Sequence, residues 1–276
     1  MDASLPEEDW QALLRLAATA RDLGCRPATS TLRAFRTHAD ALSLALIHPL
    51  ARGVYAPMIA RRTQGPFVLA QVGQSLDGRI ATAAGHSHYV NGDAALVHLH
   101  RLRALADAVV IGASTAVLDD PQLTTRRVAG PSPVRVVLDP RGRVPSTARM
   151  FDAAAPSLAL RAAGRAAPAP GGGGAEEVLL PAAHGVFAPA DVLAALADRG
   201  LHAVLVEGGG ETISAFLRGG RLHRLHVLLA PLLIGPGREA FRLPAIERLA
   251  QARRFAMTAY PLGSDVLLDC DLAADV

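Results

Sequence analysis

Between residues 204 and 212 an apolar run, Val204-Leu205-Val206, reaches Glu207, then three glycines, then Glu211-Thr212. Glycines let backbone N–H groups approach a ligand, and a helix starting there adds partial positive charge, so the turn suits a phosphate or pyrophosphate. The spacing is not G-x-G-x-x-G, and a tight strand-to-helix turn without a ligand fits it equally well. A second group comprises Gly112-Ala113-Ser114-Thr115, Asp119-Asp120-Pro121 and Leu123-Thr124-Thr125-Arg126-Arg127, directly after the apolar run 108–111. Thr115 can hydrogen-bond a nucleotide and Arg126 can grip a phosphate through two N–H groups. Taken alone, a solvated polar loop with Asp119 or Asp120 capping a turn is the better reading. A third group, Ser75-Leu76-Asp77-Gly78-Arg79 followed by Gly85-His86-Ser87-His88-Tyr89-Val90, reads as a turn joined to a loop.

Histidines at 86, 88, 98, 100, 223 and 226 raise the question of a metal. Pairs two apart do not share a helix face, and no thiolate or third ligand stands near them, so no metal site is expected.

The elements that must position these groups follow from hydrophobic periodicity. Residues 4–23 open with Ser4, Pro6, Glu7 and Glu8 and continue with Trp10, Leu13, Leu14, Leu16 and Ala17 at helical spacing. A weaker helix is expected over 38–47. Pro49, Gly53, Pro57, Gly65 and Pro66 mark what reads as a connector. The stretch 1–64 is therefore expected to be a helical appendage, and 65–276 the main domain. From Phe67 onward strands and helices alternate. Strands are expected at 67–72, 108–111, 134–138, 158–160, 178–180, 203–206, 222–229 and 266–272, and helices at 93–106, 190–199 and 211–218. Such alternation implies parallel βαβ units, and the last two strands, which lack a long intervening helix, imply an antiparallel edge. The expected fold is α/β with a mixed, mostly parallel sheet flanked by helices. Residues 162–175, rich in Ala, Gly and Pro, read as a surface loop.

Composition excludes several classes. Half of the 276 residues are hydrophobic and 19% are charged, which is incompatible with a wholly disordered chain. No apolar run approaches about 18 residues, and the acidic N-terminus is unlike a signal peptide, so a cytoplasmic protein is expected. Two cysteines, Cys25 and Cys270, cannot build a disulfide framework. All 28 cationic side chains are arginine. Without lysine there is no Walker A loop and no Schiff-base chemistry. The arginines are scattered without basic runs or interleaved aromatics, which argues against nucleic acid as a partner.

Several motifs taken in order are more specific than any one of them. Gln71-x-x-Gln-Ser75-Leu76-Asp77-Gly78-Arg79-Ile80-Ala81, Gly85-x-Ser87, Leu102-Arg103-Ala104, Gly112-x-x-Thr115-x-x-Leu118-x-Asp120-Pro121-x-Leu123-Thr124-x-Arg126, Val206-Glu207-Gly208-Gly209 and Ala230-Pro231 through Gly235 resemble the reductase domain of bacterial riboflavin biosynthesis. The resemblance spans about residues 66–272. It implies a dihydrofolate-reductase-like fold, NADPH as cofactor, a homodimer, and reduction of 5-amino-6-(5-phosphoribosylamino)uracil by hydride transfer to C1′ of its open-chain imine. The deaminase half of bifunctional relatives needs His-x-Glu and Pro-Cys-x-x-Cys motifs, and residues 1–65 contain neither.

Carried over residue by residue, the resemblance places Gly73, Tyr89, Thr115, Asp119 and Pro140 on NADPH. Its pyrophosphate falls to the stretch 209–215, foremost Gly209, Gly210, Glu211, Thr212 and Ile213. Arg141 or Arg143 is a candidate for the 2′-phosphate, by charge and proximity. Ser87, Arg103, Leu123, Arg126 and Glu207 fall at substrate positions, the arginines suiting the sugar phosphate. Glu207 is the candidate catalytic residue, either accepting hydrogen bonds from the aminopyrimidine or helping to move a proton. Asp77 is a further proton candidate, although capping its own turn fits it better. Two departures stand out, because family members often carry Lys at the position of Gln71 and Trp at that of Tyr89. They leave room for a reductase of another pyrimidine or a pterin. A non-catalytic NADPH-binding sensor is the remaining alternative.

Overall fold

The computed structural model describes residues 5–23, 48–61, 65–87, 90–164 and 175–275. The expected helix at 38–47, Tyr89 and most of the Ala/Gly/Pro-rich loop lie outside these residues. Eleven strands are formed among them, nine in one sheet of order β10-β11-β8-β1-β7-β3-β4-β5-β6. The central strands are β1 (Phe67–Ser75), β7 (Ala203–Glu207), β3 (Ala108–Gly112) and β4 (Val134–Leu138). Outside them run β5 (Ser157–Ala162) and β6 (Glu176–Leu180) on one side, and β8 (Arg224–Ala230), β11 (Asp265–Asp275) and β10 (Phe255–Leu262) on the other. All pairs from β8 to β6 are parallel, whereas β11 runs antiparallel to β8 and to β10. The sheet is thus mixed and mostly parallel, with the antiparallel edge that the missing long helix after β8 demands. A separate ribbon pairs β2 (Arg79–Thr82) with β9 (Gly237–Glu239).

Alternation along the strands divides the core in two. Phe67 and Leu69 of β1, with Leu205, Ile111 and Leu267, pack against α1 (Glu7–Leu23), α2 (Ala56–Arg61) and α3 (Asp93–Leu105). Val68, Ala70 and Val72, with Val204 and Val206, face α5 (Pro189–Ala197) and α6 (Gly210–Arg218). The remaining helix, α4 (Ala113–Asp119), follows β3 directly. Strands covered on both faces are apolar throughout, which is why they read as short unbroken hydrophobic runs. None of the described helices is long and apolar enough to cross a membrane.

The N-terminal elements belong to the first of these cores. Trp10, Leu13, Leu50, Tyr55 and Met58 are each at most 1% exposed and share a cluster with Leu102 and Leu105 of α3. The Trp10 indole donates to the Ala129 carbonyl at 3.1 Å, and Arg21 donates to the Ala104 carbonyl at 2.8 Å. The expected connector around Pro57 is instead helical. Residues Ala51–Tyr55 form a π-helical turn that runs straight into α2. Pro57 lacks the N–H that would satisfy the Gly53 carbonyl four residues back, and Arg224 of β8 supplies that hydrogen bond at 3.1 Å. A tertiary contact therefore rescues a helix that local sequence rules interrupt.

Candidate functional site

The carboxyl ends of β1, β3, β4 and β7 open into one cleft of about 1360 Å³, above the roughly 300–1,000 Å³ usual for a single small molecule. Ligands of open α/β sheets sit at such strand ends. Several of the sequence-derived residues sit at or just beyond these strand ends. Gly73 comes from the end of β1, Thr115 and Asp119 from α4, Pro140 from just beyond β4, and Glu207 from the last position of β7. Ser87 and Arg126 reach the same cleft from loops. The Ser87 hydroxyl lies 3.4 Å from Asp119 Oδ1, joining a loop to the end of α4 on one wall.

The glycine turn after β7 is built as its composition demands. Gly208 has φ of 113°, a conformation that side chains resist, and it abuts Thr115. The Gly209 N–H donates to Thr115 Oγ1 at 3.3 Å. Gly209 is the N-cap of α6 and offers no side-chain acceptor; its carbonyl takes the Thr212 N–H at 3.1 Å, which leaves the N–H groups of Gly210 and Glu211, residues that line the cleft, without a cap. A Cβ on Gly210 would stand 2.6 and 2.7 Å from the carbonyl oxygens of Glu239 and Ala240, so backbone packs directly on backbone here. Glu211 and Thr212 line the cleft as well, whereas the Ile213 side chain points away into the second core.

At the other end of the site, Arg103 of α3 clamps Glu207. Its Nε and Nη2 donate to Oε1 and Oε2, both at 2.7 Å, and Nη1 donates to the Thr124 carbonyl at 3.2 Å. Arg103 itself does not line the cleft, so its charge serves Glu207 from behind. Each oxygen of Glu207, which lines the cleft, has a second lone pair, so the carboxylate can accept further hydrogen bonds. Leu123 is buried with φ of 59° and also lies away from the cleft. Arg126 does line it, beside Arg127 and Arg149. Burial and the neighbouring arginines, Arg103 first among them, lower its pKa. Arg127 pairs with Asp93 at 3.2 Å, so Arg126 and Arg149 bring most of the positive charge to this wall.

Arg141 and Arg143 form a second cationic wall beyond β4, where Arg143 donates to Ser114 Oγ at 3.3 Å. Asp77 is used differently. Its carboxylate accepts from the Ser75 hydroxyl and from the N–H groups of Ile234 and Gly235 at 3.1 and 2.7 Å. These bonds, with that of Ser75 the strongest, lower its pKa from 3.8 to about 2, and it ties one turn to another outside the cleft. Sequence reasoning overlooked Asn91, which lines the cleft and donates to the Leu228 carbonyl at 3.2 Å. It fills the space a Gly73 side chain would need, so Gly73 is small because of Asn91. His100, weighed above only as a metal ligand, has another use: its Nδ1 accepts the Arg126 N–H at 3.1 Å. A histidine's spacing along a helix gives no signal of such a bond.

Residues 66–267 match the model of the RibD C-terminal domain. The chain belongs to the RibD C-terminal domain family. The RibD riboflavin biosynthesis protein of Mycobacterium tuberculosis is 33% identical over 213 residues, covering 75% of this chain and 55% of that protein. The 2,5-diamino-6-ribosylamino-4(3H)-pyrimidinone 5′-phosphate reductase of Methanothermobacter thermautotrophicus is 33% identical over 216 residues, covering 74% of this chain and 97% of that protein. The chain thus spans about half of the bacterial relative and nearly all of the archaeal one. Among solved structures, the deaminase/5-amino-6-(5-phosphoribosylamino)uracil reductase of Thermotoga maritima superposes with a TM-score of 0.68 at 24% identity, over 82% of this chain and 62% of that one. The cleft lies within the part of the chain that the RibD C-terminal domain covers.

Proposed function

We propose that this protein is an NADPH-dependent reductase of a phosphorylated aminopyrimidine, of the riboflavin-pathway type. The observation that carries the reading is the end of β7. There the Arg103-clamped Glu207 and the uncapped glycine turn follow each other in sequence, so one strand end serves both a substrate and a cofactor. A cleft too large for one small molecule fits two. Membership of the RibD C-terminal domain family supports the same chemistry.

The residues present fit a dinucleotide. Gly209 and Gly210 keep side chains out of the pyrophosphate position, and the N–H groups of Gly210 and Glu211 at the start of α6 are available to donate. Arg141 and Arg143, which line the cleft beyond β4, would pair a 2′-phosphate, the group that distinguishes NADPH from NADH. When bound, the nicotinamide supplies the hydride for C1′ of the open-chain imine. Arg126, with Arg127 and Arg149, holds the sugar phosphate. Glu207 accepts from the heterocycle N–H groups and fixes its orientation. Clamped by Arg103 at both oxygens, it serves better as an anchor than as a proton donor. The chain's contribution is to hold donor and acceptor carbon at reactive distance. The resemblance further implies a homodimer, for which the exposed edge strand β10 is an available face.

NADPH oxidation followed by absorbance, with 5-amino-6-(5-phosphoribosylamino)uracil as substrate and NADH as control, tests the reading. Fast turnover with NADPH and slow turnover with NADH is the expected result. NADPH binding without turnover would favour the non-catalytic sensor.

A further inference from the structure

The match to the RibD C-terminal domain begins at residue 66, so α1 and α2 fall outside it. Their packing nevertheless leads to the substrate end of the cleft. Around α3, Leu96, Leu99, His100 and Arg103 fall within about 100° of one another. Leu96 and Leu99 line the cleft, His100 holds the Arg126 N–H, and Arg103 holds Glu207. His98, Arg101, Leu102 and Leu105 fall on the opposite side of the helix, where Leu102 and Leu105 share a cluster with the N-terminal elements. The Tyr55 hydroxyl is 2.7 Å from His98 Nδ1. Arg101 donates to the Leu5 carbonyl at 3.3 Å, with its guanidinium 5.6 Å from the centre of the Trp10 ring. One helix therefore joins the N-terminal segment to the site.

The end of α3 is fastened by α1. The last carbonyls of a helix lack partners within it. Arg21 Nη2 donates to the Ala104 and Ala106 carbonyls at 2.8 and 3.3 Å, and Arg21 Nε lies 3.4 Å from Asp107 Oδ1. A cation at this end also suits the helix dipole. Asp107 Oδ2 accepts the His202 and Ala203 N–H groups at 3.0 and 2.8 Å. Thus α3 is tied to the start of β7 through Asp107 and to its last residue through Arg103. The loop that carries Arg126 is fastened as well. Arg103 donates to the Thr124 carbonyl, His100 accepts from the Arg126 N–H, and Trp10 donates to the Ala129 carbonyl. Gly130 lies between Ala104 and Leu14, where a Cβ would stand 2.7 and 3.2 Å from their side chains.

We propose that the N-terminal segment braces the substrate end of the cleft, with Arg21 and Trp10 as its positioning residues. Neither side chain lines the cleft. Arg21 acts through α3, setting where Arg103 presents Glu207 and where His100 holds Arg126. Trp10 acts through the 124–130 loop, setting the backbone from which Arg126 reaches the sugar phosphate. A helix and loop already in place lose little freedom when the ligand binds, so the brace shows as substrate affinity. Among the described residues, neither side chain bonds to α6 or to the turn after β4, so the cofactor end is not held by them.

The inference rests on the pyrimidine-reductase reading, so wild-type turnover of 5-amino-6-(5-phosphoribosylamino)uracil is measured first. No turnover overturns that reading and this inference with it. Given turnover, Arg21→Met, which keeps the stem and removes the guanidinium, is expected to raise KM for the pyrimidine about fivefold, with kcat and NADPH affinity within about twofold. Arg21→Lys, which restores a cation with N–H donors, recovers most of the loss. Trp10→Phe keeps an aromatic ring and removes the N–H that holds Ala129. It raises KM for the phosphorylated compound by a similar factor and leaves the dephosphorylated one within about twofold. A lowered melting temperature with an unmoved KM in Arg21→Met would make the segment structural only and overturn this inference alone. Should Trp10→Phe not fold, the two Arg21 variants carry the test. As a second readout, hydrogen exchange follows the α1 amides in the NADP⁺ complex. Coupling is reciprocal, so added pyrimidine slows their exchange by at least about twofold. Unchanged exchange would overturn the inference as well.

Discussion

Arg103 holds Glu207 through two hydrogen bonds of 2.7 Å, and both side chains are less than a tenth exposed. Removing one member of such a pair strands a buried charge, at a cost of about 3–5 kcal/mol. Arg103→Met is therefore expected to lower the melting temperature sharply. Glu207→Gln keeps one acceptor oxygen and the volume, and should reduce turnover of the pyrimidine more than NADPH affinity. Equal losses in both would make Glu207 structural.

Gly209 and Gly210 separate ligand approach from packing. A Cβ on Gly209 meets only Thr115 Oγ1, at 3.6 Å, so the free protein tolerates a side chain there. Gly209→Val should keep the melting temperature and lose NADPH affinity, which calorimetric titration reads. Gly210→Ala should fail in the opposite way, because its Cβ would meet two carbonyl oxygens. Unchanged NADPH affinity in Gly209→Val would move the cofactor elsewhere.

Arg126 lines the cleft beside Arg127 and Arg149. If these hold the sugar phosphate, Arg126→Ala raises KM for the phosphorylated substrate by about tenfold or more, as loss of a charged hydrogen bond does. The dephosphorylated compound should show almost no change. A similar loss for both compounds would place the phosphate elsewhere.

Two buried histidines make stability pH-dependent. The His100 pKa falls from 6.5 to about 4, chiefly by burial and secondly through Arg103, and His98 is lowered as well. Between about 6.5 and about 4 the unfolded chain binds protons at these sites that the folded chain refuses. Their contribution is thus complete above the unfolded value and is lost as pH falls through this window. Melting temperature should drop from pH 7 to pH 5, and His100→Gln should flatten the drop. An unchanged slope would show that His100 is protonated in the folded state.

The N-terminal helices are built into the first core, with Trp10 of α1 buried to 1%. Trp10→Ala should cost about 3–5 kcal/mol, as large-to-small core changes do. Removing residues 1–60 would uncover Leu102, Leu105 and Phe67, and an aggregated or unfolded product is expected. A soluble fragment with an unchanged melting temperature would show that the reductase domain is complete without them.

Much of this architecture was legible before any coordinates. The sequence bounds the strand Val134–Leu138 to the residue and marks the strand-to-helix glycine turn after Glu207, because both depend on local composition. Residues 255–262 were not read as a strand. β10 is an exposed edge containing Pro261, so it shows neither alternation nor an apolar run. The helix around Pro57 was hidden for another reason, since it depends on Arg224, more than 160 residues away. Likewise, Arg103 was read as a phosphate ligand from its charge. Only the fold reveals that Glu207 occupies it. Pairings between distant segments are what a single sequence conceals.

Hydride transfer to the sugar carbon is tested most directly with NADPH carrying two deuterium atoms at C4 of the nicotinamide, so that either face delivers the label, and mass spectrometry of the pyrimidine product. The expected result is a ribitylamino product one mass unit heavier, with the label at C1′. An unlabelled product, or none at all while NADPH remains bound, would contradict hydride transfer to that carbon.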